Sequence, residues 1–194
     1  PSESDYCNPI VCVKKSDGSL RICADLKAVN SKTIADEFPA SNMTSIIEKC
    51  AGAKYVSSID LLMGFYQIPL NENSRKYTAF RRDFGFFEHK VTPMGAKNSS
   101  KTFQRLIYRV LHGAEGYAMS HVDDIAIFSQ TWVEHLAHIR DVLGRLRLAG
   151  LVAKSSKCHF ALPRLKCLGF IIEDGKIMPD PDKIKSIVDF PVIR

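Results

Sequence analysis

Apolar residues recur along this chain in two different spacings, and each spacing predicts a different kind of element. Short apolar runs bounded by turn residues predict strands over residues 10–13, 20–24 and 55–60. An apolar stripe with steps of three and four predicts a helix over residues 131–149, capped by Thr131 and Glu134. Hairpins that alternate with helices indicate an α+β fold, with helices packed on one face of an antiparallel sheet.

The same pattern predicts which face of the long helix is buried. Its stripe has five members that we expect to face the core: Trp132, Leu136, Ile139, Leu143 and Leu146. His135 and His138 lie one turn apart, and we expect them on the exposed face, with a metal-binding pair as the alternative. Further helices are predicted over residues 44–50, 99–111 and 181–189, and further hairpins around residues 83–85 and 173–175.

Two adjacent aspartates, Asp123 and Asp124, directly precede a run of apolar residues that predicts a buried strand over residues 125–128. Two like charges side by side cost free energy unless a cation or a proton offsets them. Asp60 ends another predicted strand of the same kind. Three carboxylates that meet at strand ends would suit a hard cation such as Mg²⁺. The alternative is a surface hairpin with solvated aspartates.

Composition adds a preference for an anionic partner. The chain has 194 residues, a formal net charge of +6 and a sequence pI near 9.0. A basic chain with a tight acidic cluster suits a nucleic acid polymerase or nuclease, because the backbone needs cations and the metals need carboxylates. A basic domain without a nucleic-acid role is the alternative. No signal peptide or membrane-spanning run is recognisable, so we expect no membrane partner.

Five groups of residues occur in an order that is informative as a set. They are Val13-Lys14-Lys15 with Leu20-Arg21-Ile22-Cys23, Ser58-Ile59-Asp60-Leu61 with Gly64-Phe65-Tyr66-Gln67-Ile68, Pro93-Met94-Gly95 with Thr102-Phe103-Gln104-Arg105-Leu106, His121-Val122-Asp123-Asp124, and Ser156-Lys157-Cys158 with Leu168-Gly169-Phe170. In this order they resemble the reverse transcriptase of gypsy-type LTR retrotransposons and, more distantly, the retroviral enzymes. A single motif would carry little weight, whereas five ordered motifs are specific.

The resemblance implies a right-hand polymerase with fingers and palm and with its thumb largely absent. Fingers would comprise residues 1–54 and 71–97, palm residues 55–70 and 98–180, and the start of a thumb residues 181–194. The chain opens at Pro1 and stops within a predicted helix. We therefore expect a segment of a pol polyprotein whose remainder supplies the thumb, connection and RNase H parts.

The resemblance also implies an activity, RNA-directed DNA polymerisation, in which dNTPs are added to a primer 3′-hydroxyl on an RNA or DNA template. Asp60 and Asp123 would bind two Mg²⁺ ions, for which Mn²⁺ could substitute, with the carbonyl of Leu61 assisting. Asp124 would be the third acid. One metal would lower the pKa of the primer hydroxyl, and the other would neutralise charge on the triphosphate.

Further roles are implied around the nucleotide. Lys14 and Arg21 would place two cations over the triphosphate, Phe65 would exclude a ribose 2′-hydroxyl, and Gln104 would hydrogen-bond near the sugar and base. For each of these four residues, surface charge or core packing is the alternative. The remaining implied contacts are those of the Met63 and Gly64 amides to phosphate, and those of Lys157, Leu168 and Gly169 to nucleic acid.

Some positions depart from the family pattern. His121 stands where an aromatic or Met-type residue is usual, and Lys27 where Arg is more common. The segment with Ala96, Lys97, Ser99 and Ser100 replaces a more apolar, proline-containing stretch. These departures suggest a decayed or domesticated copy that binds nucleic acid or protein without catalysis. The intact acids favour a catalytically competent enzyme instead. A DNA-templated polymerase is a third alternative. We expect an intracellular, cytoplasmic protein, with a virus-like particle for an intact element, and oligomeric state stays open.

Overall fold

The computed structural model describes residues 1–14, 18–39, 41–162, 164–167, 170–173 and 176–188. The strands in these ranges are β1 (Ile10–Lys14), β2 (Leu20–Ala24), β3 (Tyr55–Asp60), β4 (Phe80–Arg82), β5 (Gly85–Phe87), β6 (Ala118–His121), β7 (Asp124–Ser129), β8 (Arg164–Cys167), β9 (Phe170–Glu173) and β10 (Lys176–Pro179). The α-helices are α1 (Lys27–Lys32), α2 (Met43–Ala51), α3 (Glu72–Arg75), α4 (Ser99–Val110), α5 (Trp132–Leu148) and α6 (Pro181–Val188). Short 3-10 helices span Gly64–Gln67, Lys76–Thr78 and Ser155–Lys157.

The chain divides into two compact units. The first unit comprises Pro1–Pro39 and Met63–Arg105, and it contains the hairpins β1–β2 and β4–β5. The second unit comprises Ala40–Leu62 and Leu106–Arg194, and it contains two three-stranded antiparallel sheets. Helices with antiparallel sheets confirm the predicted α+β class, while the boundaries proposed for fingers, palm and thumb stay predictions.

The sheet that carries the predicted site has the strand order β3-β7-β6. Every residue of β3 between its two ends is buried, which requires cover on both faces of the sheet. On one face, Val56 and Phe128 form a core cluster with Cys50 of α2. On the other face, Ser57 hydrogen-bonds His135 of α5. Each face of this sheet therefore has a helix of its own, α2 on one and α5 on the other, because successive strand residues point to opposite faces.

The long helix begins and ends as the sequence predicted, but it faces the sheet through different residues. Thr131 and Glu134 form the predicted capping box. His135, Val142 and Leu146 are the buried residues of α5, whereas the stripe members Trp132, Leu136 and Leu143 are 48%, 47% and 40% exposed. The stripe was therefore predicted correctly for Leu146 and wrongly for those three residues, and the exposed position expected for His135 was wrong as well. A hydrophobicity pattern scores histidine as polar, whereas His135 lies on the core side with hydroxyl partners.

Other helix ends agree with the sequence. The side chain of Asn42 caps α2 by accepting a hydrogen bond from the backbone N–H of Ser45, over 3.2 Å. Within α4, the core-facing side chains of Phe103 and Ile107 are fully buried. The hairpin predicted around residues 83–85 is present as β4–β5, with shorter strands than expected. No helix in the described ranges is both long enough and apolar enough to cross a membrane.

Candidate active site

The Asp123–Asp124 pair lies at the tip of the β6–β7 hairpin. Asp124 is the first residue of β7, and Val122 and Asp123 form the two-residue connection from β6. Val122 has a φ of 55°, which is unfavourable for a β-branched residue. Such strain persists only where the surroundings enforce it, and it clusters at functional sites. The sequence analysis missed this feature, since nothing in the residue pattern marks a valine for positive φ.

Strand register brings Asp60 and Asp124 together. The two residues are directly opposite each other on β3 and β7, so their side chains lie on the same face of the sheet. His121 lies opposite Asp124 on the other neighbour, β6. The backbone of Asp123 is joined to the same corner, because the N–H of Leu61 donates to its carbonyl oxygen over 3.1 Å. Three predicted acids and Leu61 therefore occupy one corner of the second unit.

The acids of this corner repel one another. Burial raises the pKa of the Asp124 carboxyl, and the negative charges of Asp123 and Asp60 raise it further. The Nζ of Lys157 lies 3.1 Å from Oδ2 of Asp60. That hydrogen bond and the charge of Asp60 raise the pKa of Lys157. The corner thus combines three carboxylates with one close cation, and this cation was predicted as a nucleic-acid contact rather than as a partner of Asp60.

The donor set of the corner fits a hard divalent cation, since carboxylate oxygens are the ligands that Mg²⁺ prefers. The mutual repulsion of the acids would be relieved by such an ion. Among the described residues, however, no three His, Cys, Asp or Glu side chains converge closely enough to hold a metal. One oxygen of Asp60 instead faces Lys157. The corner therefore holds suitable ligands close to one another, but their side chains do not point to a common position.

His121, which departs from the family pattern, is fixed by a hydrogen bond. Its Nδ1 lies 2.7 Å from the hydroxyl oxygen of Ser41, which immediately precedes Asn42, the cap of α2. This contact ties the end of β6 to the start of α2 and holds the imidazole beside Asp124. Ser41 and His121 are 80 residues apart in the chain, so their contact depends on the tertiary structure.

The two cations predicted over the triphosphate do not share a face of their hairpin. Val13 is the cross-strand partner of Arg21, and Leu20 is the partner of Lys14. Since directly paired residues share a face and neighbours along a strand alternate, Lys14 and Arg21 point to opposite sides of β1–β2. The placement of both cations over one triphosphate stays a prediction, to which this register adds that the two side chains leave the hairpin on opposite faces.

The other predicted nucleotide contacts belong to the first unit as well. Phe65 is half-buried and packs edge-on against Phe103, with ring centroids 5.8 Å apart and an interplanar angle of 87°. Gln104 is 8% exposed. Met63 has a φ of 51° and precedes Gly64, the first residue of a 3-10 helix. The roles of these residues toward a nucleotide stay predictions, as does the role of Lys157 toward nucleic acid; Leu168 and Gly169 lie outside the described residues.

Other residues that depart from the family pattern are integrated into the first unit. Nζ of Lys97 donates to the carbonyl of Thr33 over 2.9 Å, and its backbone N–H donates to Asn30 Oδ1 over 2.8 Å. The buried hydroxyl of Ser99 donates to the carbonyl of Pro93 over 2.9 Å. These contacts show that the segment after Gly95 is a built part of the fold, which weakens the argument that the departures reflect decay.

Comparison with known proteins defines the class to which this fold and site belong. The family model described as reverse transcriptase (RNA-dependent DNA polymerase) matches residues 13–172. The chain belongs to this family. It is 36% identical to the retrovirus-related Pol polyprotein from transposon 297 of Drosophila melanogaster, over 98% of this chain and 19% of that protein. It is 33% identical to the corresponding polyprotein from transposon gypsy of the same organism, over 98% and 19%.

A plant virus protein and solved structures agree with this assignment. The enzymatic polyprotein of Figwort mosaic virus (strain DxS) is 32% identical over 98% of this chain and 29% of its own length. A foamy viral protease-reverse transcriptase in complex with double-stranded DNA superposes with a TM-score of 0.91 at 27% identity, over 100% of this chain and 34% of that chain. The gypsy-type resemblance and the fingers–palm fold class are thereby confirmed. The chain spans roughly a fifth to a third of the length of these relatives.

Proposed function

We propose that this chain is the polymerase part of an RNA-directed DNA polymerase, which adds dNTPs to a primer 3′-hydroxyl on a nucleic acid template. The observation that carries the proposal is the corner of the second unit. There Asp60 and Asp124 face each other across β3 and β7, with Asp123 in the adjoining turn. Membership of the reverse transcriptase family and the raised pKa of Asp124 support it.

Asp60, Asp123 and Asp124 would hold the divalent cations, with Mg²⁺ as the expected ion and Mn²⁺ as a substitute. The bound ions would supply an activated primer hydroxyl and neutralisation of the triphosphate charge. The protein's own part is to hold the three carboxylates close together. Strand pairing fixes Asp60 beside Asp124, and the strained turn at Val122 carries Asp123 to the same corner.

The protein's basic charge fits the proposed partners. A net charge of +6 favours the phosphate backbone of a template–primer. A related foamy viral enzyme is described in complex with an RNA/DNA hybrid, which supports template–primer as the partner class. Phe65 is proposed as the residue that excludes ribonucleotides, and the thumb, connection and RNase H parts as regions of the surrounding polyprotein.

The test is single-nucleotide extension of a DNA primer on an RNA template, with dNTPs and Mg²⁺, by the wild-type chain and by Asp123→Asn. We expect the variant to lose at least about a thousandfold in rate, since metal coordination supplies several kcal/mol of transition-state stabilisation. Asp5→Asn is the matched control, because this substitution removes the same charge from an exposed position. It should extend the primer at the wild-type rate.

Two results would contradict the proposal. Extension by Asp123→Asn at the wild-type rate would remove Asp123 from the active site. Binding of template–primer without extension, by a wild-type chain supplied with Mg²⁺ and Mn²⁺ in turn, would indicate a domesticated binding module. Preference for a DNA over an RNA template in the same assay would indicate a DNA-templated polymerase instead.

A further inference from the structure

The segment after α5 runs beside β3 and is hydrogen-bonded to it on both sides of Asp60. On one side, Ser58 and His159 exchange two backbone hydrogen bonds, each 2.8 Å long. On the other side, the backbone N–H of Lys154 donates to the carbonyl of Asp60 over 2.8 Å. Ala153 also forms a bridge to Leu61. The segment is therefore hydrogen-bonded to β3 where that strand carries Asp60.

Between these two anchored stretches, the segment leaves the strand in a 3-10 turn over Ser155–Lys157. The backbone N–H of Lys157 donates to the carbonyl of Lys154 over 2.8 Å, which closes the turn. This geometry brings the side chain of Lys157 back over Asp60, where Nζ lies 3.1 Å from Oδ2. Because the turn is fixed at both ends, the lysine reaches the carboxylate from a defined backbone position.

The contact engages an oxygen that the proposed function requires for another purpose. Asp60 is only 17% exposed at its side chain, whereas Lys157 is 58% exposed. A carboxylate oxygen that accepts a hydrogen bond from an ammonium is not available in the same direction to a cation. In the described part of the chain, no three acidic, histidine or cysteine side chains converge on a metal position. Lys157 thus occupies one oxygen of Asp60 that a bound cation would use.

From this geometry we propose that Lys157 competes with the divalent cation for Asp60 and acts as a removable counter-ion of the metal site. Without metal, its ammonium offsets part of the repulsion among the three carboxylates. When the cation binds, the side chain moves away from Oδ2, which its exposure permits. The inference rests on the proposed metal-binding role of Asp60, and it adds a residue that sets the strength of metal binding.

The test is a titration of Mn²⁺ into the wild-type chain, followed by loss of the free-ion electron paramagnetic resonance signal, which needs no turnover. We expect Lys157→Gln to bind Mn²⁺ about three- to fivefold more tightly, which is the upper part of the range for breaking a partly exposed ion pair. Lys154→Gln is the matched control. It removes the same charge three residues earlier and retains the backbone hydrogen bond to Asp60, so its affinity should stay within about twofold of wild type.

A second variant covers the case in which Lys157→Gln does not fold. Lys157→Arg keeps the charge and offers a planar fork for the carboxylate, so it should bind Mn²⁺ no more tightly than wild type. Tighter binding by Lys157→Arg would overturn the proposal. So would unchanged or weaker binding by folded Lys157→Gln, or an equal gain in Lys154→Gln, which would indicate a general charge effect.

The outcomes also separate this proposal from the proposed function. If the wild type binds Mn²⁺, Asp60→Asn abolishes binding and Lys157→Gln binds no more tightly, the competition alone fails. If neither the wild type nor any variant binds Mn²⁺, the metal-binding role of the acids fails, and the competition fails with it. If Lys157→Gln binds where the wild type does not, the competition is supported in its strongest form.

Discussion

The two faces of the β3–β7–β6 sheet both carry polar residues, but the two sets have different partners. On the α5 face, the imidazole of His135 lies between two hydroxyls, with Nε2 2.7 Å from Ser57 and Nδ1 2.8 Å from Ser129. On the opposite face, Asp60 and Asp124 confront each other with Lys157 as the close cation. We call the first the histidine face and the second the acid face.

The histidine face is satisfied by one consistent arrangement of protons. Ser57 accepts from the backbone N–H of Ala161 over 2.9 Å, so its own hydroxyl can donate to His135. The other ring nitrogen can then donate to Ser129, whose hydroxyl donates to Nδ1 of His138 over 2.8 Å. Groups paired in this way stabilise a fold. On the acid face, the carboxylates repel one another, and a bound cation would relieve that repulsion. Unrelieved repulsion of this kind is typical of a binding site rather than of a polar core.

The largest effect on stability should follow from breaking the histidine face. His135→Ala would leave the hydroxyls of Ser57 and Ser129 without this partner and open a cavity. We expect the free energy of unfolding to fall by about 3 kcal/mol, measured by urea denaturation at pH 7.5. Leu136→Ala on the same helix is the control. Its side chain is 47% exposed, so the loss should stay below about 1 kcal/mol. Equal losses of unfolding free energy in the two variants would indicate that the predicted apolar stripe faces the core.

Acidification should weaken the same face. Burial, and then the charge of His138, lower the pKa of His135 from its ordinary value of 6.5. The unfolded chain therefore binds the proton more readily than the folded chain. The contribution of His135 to stability is present in full above pH 6.5 and is lost as the pH falls below it toward the folded pKa.

Denaturation at pH 7.5 and pH 5.5 measures this loss. The decrease should be larger in the wild type than in His135→Gln, which cannot take up the proton. His89 supplies a second comparison, since burial lowers its pKa as well and its Nε2 has no hydrogen-bond partner among the residues that the structure describes. A pH dependence that is identical in wild type and His135→Gln would show that His135 does not titrate differently on folding.

The smallest effect should have the opposite sign and lie on the acid face. Asp124→Asn removes one of three repelling charges, so we expect the free energy of unfolding at pH 7.5 to rise by about 0.5–1 kcal/mol. The pKa of Asp124 is raised in the fold. The protonated Asp124 therefore contributes stability to the fold in full below pH 3.8, the pKa of this carboxyl in the unfolded chain. That contribution is lost as the pH rises through the folded pKa. The gain from the variant should shrink as the pH is lowered, and a destabilised variant would contradict it.

Long helix α5 shows where a sequence pattern is reliable and where it is not. Its start was predictable because a capping box is a local arrangement of Thr131 and Glu134, four residues of chain that need no partner from elsewhere. Its buried face was not predictable, because that face depends on hydroxyls contributed by β3 and β7. Trp132 and Leu136 are apolar, yet both are about half exposed and lie at the edge of the contact between α5 and the sheet. Similarly, only the register of the β1–β2 hairpin shows that Lys14 and Arg21 lie on opposite faces of it.

The sequence by itself determined the family, the α+β class and the identity of the three acids, because those depend on ordered motifs and on charges placed at strand ends. Only the tertiary structure decided what surrounds them. Register set Asp60 opposite Asp124, the turn at Val122 acquired its strain, and a segment 97 residues further along the chain carried Lys157 to Asp60. The physical reason is that a motif fixes which groups exist, whereas pairing between distant strands fixes their distances, and electrostatic energies depend on distance.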